Sequence, residues 1–508
     1  MAERTGNGQQ RGDVVVIGGA VCGLSVAMLL AKDGWRVRVL ERDPAAPPAD
    51  PDGCWESWDR RGVGQFRLLH SYLPRWRQEV EAELPEVAAA MDGAGALRTN
   101  SITSAPEQLT GGPRPDDGRY EVLTARRPVM ESVLARVASA MPGVTIERGV
   151  AVTGLLVADR PAAPGVPHVR GVATDDGRRL VADLVVDAGG RRSPLPRWLT
   201  EVGARPPVEE REDSGFRYYS RHFRSSDGSV PPMFGPPLQP YDSVSLATLP
   251  TDNGTWGIAI VTSMADDALR PARRPEVWSR VLASYPLAAH WLEGEPISDV
   301  DVFSRIEDRH RRYSVDGAPV ATGVVAVGDA WACTNPSVGR GVSIGLLHAV
   351  ALRDVLREVD VDDAVGLARR WDEATLDTVE PLFRDTLSFD RHRLAEIDAQ
   401  IAGVPYETDD PAWHQQEALR RGAATDPDLL RGYAAVRCLL DRPCEVWAQP
   451  GMAAKAAAIG DPPPAPGPSR RELLAIVGPD PAPPAGHRAR NGPVAHPLRP
   501  ARLPLAAD

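Results

Sequence analysis

"DVVVIGGAVCGLSVAMLL", residues 13–30, reads as a strand, a glycine-rich turn and a helix. Val14, Val15, Val16 and Ile17 form a continuous β-branched run, which suits a strand buried on both faces of a parallel sheet. Apolar residues then recur through Leu24, Val26, Ala27, Leu29 and Leu30, and a second strand, Val37 to Leu40, ends at Glu41. This is the outline of a dinucleotide-binding βαβ unit, but G-x-G-x-x-G stands as Gly18-Gly19-Ala20-Val21-Cys22-Gly23. In that motif the first glycine makes the tight turn, the second lets backbone approach the pyrophosphate, and the third lets helix and strand pack closely. Ala20 adds one methyl group at the second position and leaves the N–H groups of the helix start untouched. Glu41, about 18 residues beyond Gly23, is placed to accept from a ribose 2′-OH, with Arg42 beside it. The reading is a dinucleotide with an unphosphorylated adenosine ribose. The turn alone does not separate FAD from NAD.

Composition narrows the class. The 508 residues allow one large domain or two to three smaller ones, and 43% hydrophobic with 25% charged residues is an ordinary globular balance. A net charge of -11 argues against a nucleic-acid binder, which would carry a basic stripe. No apolar run approaches the ~20 residues of a membrane span, and the N-terminus lacks a signal peptide's apolar core. The five cysteines, Cys22, Cys54, Cys333, Cys438 and Cys444, are scattered, so neither a disulfide framework nor a metal site is expected. The expectation is a reduced, cytoplasmic protein without an integral membrane span.

Two distant segments select the cofactor. Residues 184–199, "LVVDAGGRRSPLPRWL", are a hydrophobic strand followed by Asp187, a glycine pair and a proline-broken exit. Residues 324–347, "VVAVGDAWACTNPSVGRGVSIGLL", are another buried strand, then Gly328-Asp329, a loop with Pro336, and Gly339-Arg340-Gly341 entering a helix. With these three motifs in this order the chain resembles the para-hydroxybenzoate-hydroxylase-like FAD-dependent monooxygenases over roughly residues 12–445. The bacterial natural-product hydroxylase and epoxidase branch is the most similar in style.

The resemblance implies a Rossmann-like α/β FAD-binding domain, interleaved with an antiparallel-sheet substrate domain and followed by a C-terminal helical segment. It implies FAD contacts from Gly18, Gly19, Ala20, Gly23, Glu41, Arg42, Arg127, Val152, Asp187, Gly328, Asp329, Pro336, Gly339, Gly341 and Val342. Arg127 comes from "TARRPVMESVLARVA", residues 124–138, where the family opens the helix leading to its third strand. Asp329 follows a strand at its carboxyl end and is expected to accept from the ribityl chain, which NAD lacks. The N-terminus of the helix after Gly341 would favour an anionic reduced flavin.

Between the middle and late motifs, "GFRYYSRHF" alternates, with Tyr218 and Tyr219 on opposite sheet faces. Tyr218, Tyr219 and Trp256 are candidate cavity residues; the chemistry itself is expected to be flavin-borne, with no catalytic side chain identified. Gln65, Arg67 and His70 open a helical segment, residues 62–87, where the family lays a loop over the flavin. The expected division is 12–213 and 311–360 for the FAD domain, 214–310 for the substrate sheet, 361–460 helical, and 461–508 a disordered proline-rich tail.

The expected function is oxidation of a small natural-product type substrate with NAD(P)H and O2, by hydroxylation or epoxidation through a C4a-(hydro)peroxyflavin. NAD(P)H binds transiently, because the chain has one dinucleotide fingerprint; "DGAGALR", residues 92–98, follows no strand. Electrons come from it directly or through a flavin reductase. A disulfide reductase would need a Cys-x-x-Cys pair, and a halogenase of this fold a G-x-G-E-A-T-type segment; the sequence has neither. A flavin-dependent reductase of an isoprenoid-like substrate and a non-catalytic flavin-binding protein stay open.

Overall fold

The valine run of the opening stretch forms the middle of a five-stranded parallel sheet. The strand order is Val324–Ala326, Leu184–Asp187, Asp13–Ile17, Arg36–Glu41 and Val144–Arg148. The computed structural model describes residues 11–60, 62–460 and 465–479. Val16 pairs with Val39 on one side and Val186 on the other, and all three are fully buried. Alternation sends Val14 and Val16 toward the helices Val21–Lys32 and Gly341–Glu358, and Val15 and Ile17 toward the opposite layer. There Val169 and Val172 of a small antiparallel sheet (Val152–Val157, Val169–Thr174, Arg179–Val181) and Trp198 complete the packing. A sheet covered on both faces needs apolar residues on both, which is why this strand reads as an unbroken valine run.

The antiparallel sheet is built around Phe216–Arg224 and Thr255–Ser263, with Val244–Pro250 and Leu238–Tyr241 on one side and Asp301–Ser304 and Glu295–Pro296 on the other. Its two faces differ in bulk. Tyr219, Phe223, Trp256, Ile258 and Ile260 pack into a core with Trp278 and Trp291, and the Phe223 ring stacks on Trp256 and Trp278 at 6.1 and 5.9 Å. The other face carries Tyr218, Ser220, Ala247, Ala259 and Val261, mostly small side chains that leave space above the sheet.

Residues 364–458 hold helices, several started by an aspartate cap and a proline in the first turn, as at Asp410-Pro411 and Asp426-Pro427. Among the described residues no helix is long and apolar enough to cross a membrane. The expectation of disorder across 461–508 is corrected for 465–479, the part of it that is described. Arg470–Val477 is a helix with a Ser469–Glu472 capping box, and Leu473 and Val477 are buried behind the antiparallel sheet. Arg470 clamps it there through Asp266, at 2.5 and 2.8 Å. Burying two such aliphatic side chains contributes about 1.5–3 kcal/mol each, enough to order a short segment despite its prolines. The remainder of the expected tail lies outside the described residues.

Candidate active site

The carboxyl ends of the parallel strands and the small-residue face of the antiparallel sheet enclose one continuous cavity of about 2060 Å³. That is about twice the upper end of ordinary small-molecule sites. It runs from Gly18, Ala20 and Glu41 past Asp329 to Tyr218 and Val261.

The glycine turn forms one end. Gly18 has φ +102° and donates its N–H to Leu40 O at 2.9 Å, folding the chain back over the second strand. Gly23 is where the helix passes closest: a Cβ there would lie 2.0 Å from Gly18 O. Ala20 is the extended N-cap residue, its side chain makes no cap bond, and it lines the cavity with Val21 and Cys22. The first-turn N–H groups have no intrahelical acceptor and are presented to the cavity. Gly19 and Gly23 lie behind this surface and shape the turn.

Glu41 borders the cavity but is already engaged. Its Oε2 accepts from Gly19 N–H at 2.9 Å and from Arg60, and its Oε1 accepts from Asp43 N–H at 2.9 Å. A carboxylate has about four acceptor sites, so one stays open to a ribose hydroxyl. Arg60 joins Glu41 to Asp43 at 3.3 Å and to Glu131 at 2.5 Å, with the guanidinium 2% exposed. Arg127 bonds Glu131 at 2.7 Å and His70 Nε2 at 2.8 Å. His70 Nδ1 lies 2.9 Å from Leu68 O, so Nδ1 carries the proton and Nε2 accepts from Arg127. Burial, with Arg127 beside it, pushes the His70 pKa down to about 3, and the ring is neutral. Gln65 also lines the cavity, whereas Arg67 turns away to the Trp55 and Trp58 carbonyls.

Arg42, Val152, Gly328, Asp329, Pro336, Gly339, Gly341 and Val342 all line the cavity. Burial raises the Asp329 pKa, and Arg127 and Arg191 draw it back from a distance; among the described residues none forms an ion pair with it. His348 accepts the Gly328 N–H on Nδ1 at 3.0 Å and stacks on Trp371, fixing the turn that carries Asp329.

Two expectations are corrected. Asp187 does not reach the cavity: fully buried, it accepts from Gly189 N–H at 2.9 Å and from Ser193 Oγ, so it shapes the loop carrying Gly190 and Arg191. Tyr219 and Trp256 lie in the core behind the sheet, where Trp256 Nε1 donates to Trp291 O at 2.8 Å. Only Tyr218 of the three candidates faces the cavity. Its hydroxyl donates to Asn335 Oδ1 at 2.8 Å, and Asn335 N–H donates to Asp308 at 2.7 Å. Among the described residues Asp308 and Asp390 form no ion pair, and burial raises the Asp308 pKa to about 6 and that of Asp390 well above the carboxylate range.

Two further walls escaped the sequence reading. One is a hairpin, Leu97–Asn100 with Glu121–Thr124, whose alternate residues Leu97, Thr99, Val122 and Thr124 face inward. The other is the helix Pro427–Arg437, with Leu430, Tyr433 and Ala434 on the cavity.

No family model matches the chain. Protein Rv3254 of Mycobacterium tuberculosis is 30% identical over 399 residues, which is 75% of this chain and 80% of that protein. Squalene epoxidase 4 of Arabidopsis thaliana is 24% identical over 405 residues, covering 74% and 70%. PqsL of Pseudomonas aeruginosa, described as a probable FAD-dependent monooxygenase, has the same fold, with a TM-score of 0.55 at 18% identity over 77% of this chain and 98% of its own. The chain belongs to one family with Protein Rv3254, and its fold is that of PqsL.

The cavity fits FAD by its own chemistry. The helix start at Ala20–Cys22, with Arg42, offers donors and positive charge for a pyrophosphate. The unpaired Asp329 carboxylate offers acceptors for sugar-alcohol hydroxyls. At Gly341 a Cβ would meet nothing within 4 Å, so backbone there borders open space.

Proposed function

We propose that this chain is a monooxygenase that uses NAD(P)H and O2 to hydroxylate or epoxidise a small, largely apolar organic substrate. The observation that carries the reading is the continuity of the cavity from the dinucleotide turn to the chamber above the antiparallel sheet, so a substrate and FAD would share one enclosure. FAD, when bound, accepts the electrons of NAD(P)H and activates oxygen. The chain's own part is binding, orientation and dryness. The N–H groups after Ala20, with Arg42, hold the pyrophosphate; Glu41 accepts from the adenosine ribose and Asp329 from the ribityl chain. Asp187 and His348 act as positioning residues, one for the Gly190 loop and one for Asp329. Tyr218 donates its hydroxyl hydrogen bond to Asn335 Oδ1, which leaves its oxygen lone pairs to accept from a donor on the substrate. Val261, Ala259, Leu249 and Ile306 keep water from the reacting centre.

Purified protein is expected to be yellow, with about one FAD per chain. It should oxidise NAD(P)H, directly or through a flavin reductase, faster when substrate is added, and yield a product heavier by one oxygen atom. An air-stable flavin that neither route reduces would remove the monooxygenase reading.

Ala20 provides a local check. Ala20→Gly should retain FAD as well as the parent chain. Ala20→Val, which pushes a branched side chain at the phosphates, should weaken FAD binding by about 1–3 kcal/mol without lowering the melting temperature of the FAD-free protein. Equal FAD dissociation constants for the three chains would move the pyrophosphate elsewhere.

A further inference from the structure

The helix Pro427–Arg437 turns Leu430, Tyr433, Ala434 and Arg437 to the cavity, a spacing that is one face of a helix. That face is apolar for two turns and then ends in a cation. Leu97 and Val122 of the hairpin line the same chamber.

Arg437 stands apart from other arginines on the cavity wall. Arg393 pairs with Glu396 at 2.5 Å and Arg420 with Glu417 at 2.6 Å, while the neighbouring Arg340 is held by Asp385. Arg437 has no carboxylate partner among the described residues; its guanidinium lies 5.1 Å from the Phe389 ring centre, a cation–π contact that leaves its N–H groups free for a ligand. Arg42 follows Glu41 at the dinucleotide end, where an anionic ligand is already expected, and Arg191, beside Arg192, lies 5.7 Å from the Phe303 ring centre and draws on the Asp329 charge. A half-buried, unpaired guanidinium at the end of an apolar wall has lost part of its hydration without gaining a counter-charge. A ligand anion restores it, and a planar fork held over an aromatic ring matches a carboxylate, which accepts two parallel hydrogen bonds.

We infer that the substrate is an elongated apolar molecule with a carboxylate group, seated by Arg437 while its apolar body lies along Leu430, Tyr433 and Ala434. This rests on the reading of the chamber as the substrate's. Arg437 then acts as a specificity determinant: it fixes which end of the molecule enters and how far along its length the reactive carbon lies.

The test titrates dodecanoate, methyl dodecanoate and dodecanol into the full chain as purified, followed by tryptophan and flavin fluorescence. Dodecanoate is expected to bind at least about tenfold more tightly than the ester or the alcohol, the size of one charge-assisted hydrogen-bonded contact. Arg437→Gln should remove that preference while leaving ester binding, FAD content and melting temperature unchanged. Arg437→Lys, which keeps the charge but not the fork, should retain part of it. Equal binding of acid and ester by the parent chain, no binding of the acid, or an undiminished preference in Arg437→Gln each overturns the inference. Tryptophan fluorescence reports the acid preference without FAD. A chain purified free of FAD that still prefers the acid would therefore defeat the flavin reading and keep the Arg437 anchor.

Discussion

A chain carrying Gly23→Ala is expected to emerge colourless. The added Cβ would lie 2.0 Å from Gly18 O, 3.1 Å from Gly18 C and 3.3 Å from Ala188 Cβ. The nearest of these atoms is backbone and cannot swing aside as a side chain would. Gly18 cannot yield either, because its φ of +102° and its N–H bond to Leu40 O define the turn. The helix Val21–Lys32 must therefore lift from the strand, which withdraws the N–H groups of Val21 and Cys22 from the cavity and opens the packing around Leu24 and Met28. Overpacking a well-filled site costs about 1–3 kcal/mol when side chains can adjust, and a backbone clash belongs at or above the upper end. The expected result is loss of FAD by about 100-fold in affinity together with a lower melting temperature. Gly93→Ala is the control: it ends the helix Pro85–Gly93, and a Cβ there meets nothing within 4 Å. That variant should stay yellow and melt no lower than the parent. A Gly23→Ala chain with full FAD would show that this turn is not the cofactor's seat.

What the sequence made legible here was local. The strand–turn–helix of residues 13–30 and the Gly328–Gly341 loop announce themselves because their backbone demands and their apolar periods lie within a few positions of each other. Arg60 could not be read in that way. It lies 19 positions from Glu41 and 71 from Glu131, in a stretch with no motif, and only the fold brings the three together. The same holds for the hairpin and the helix Pro427–Arg437, which sit far apart in the chain yet wall one chamber. Alternation in "GFRYYSRHF" put Tyr218 and Tyr219 on opposite faces, but aromatic residues occupy both, so the pattern did not say which face met the cavity. The motif marks Asp187 as a ligand, while its burial at the end of a central strand commits its oxygens to the following loop. The helix Arg470–Val477 had a local signal, the S-x-x-E capping box before Leu473 and Val477, which the surrounding prolines outweighed in a reading by composition.

Arg60→Met should destabilise the protein more than loss of an exposed ion pair could. The Arg60 guanidinium is the shared counter-charge of Glu41, Asp43 and Glu131, and the Glu131 side chain is 0% exposed. Breaking a buried pair by removing one partner costs about 3–5 kcal/mol, because the remaining charge keeps its desolvation penalty. Burial by itself would raise the Glu131 pKa, and Arg127 and then Arg60 more than offset it, so the folded carboxyl lies below its ordinary value. A depressed carboxyl contributes stability that is present above the unfolded pKa and lost as pH falls through the folded one. Without Arg60 the depression shrinks, so acid unfolding should begin at a higher pH than in the parent chain, in addition to the lower melting temperature at neutral pH. Adding Glu131→Gln to Arg60→Met removes the most deeply buried of the three carboxylates that lose Arg60, leaving Glu41 and Asp43, and should recover part of the loss, a coupling a double-mutant cycle measures directly. FAD binding should weaken in step, because Arg60 also donates to Gly19 O at 3.2 Å and steadies Glu41 against the turn. An Arg60→Met chain that melts and unfolds in acid with the parent would mean that the three carboxylates do not depend on Arg60 as their counter-charge, and the cluster would have no part in holding the dinucleotide end of the cavity.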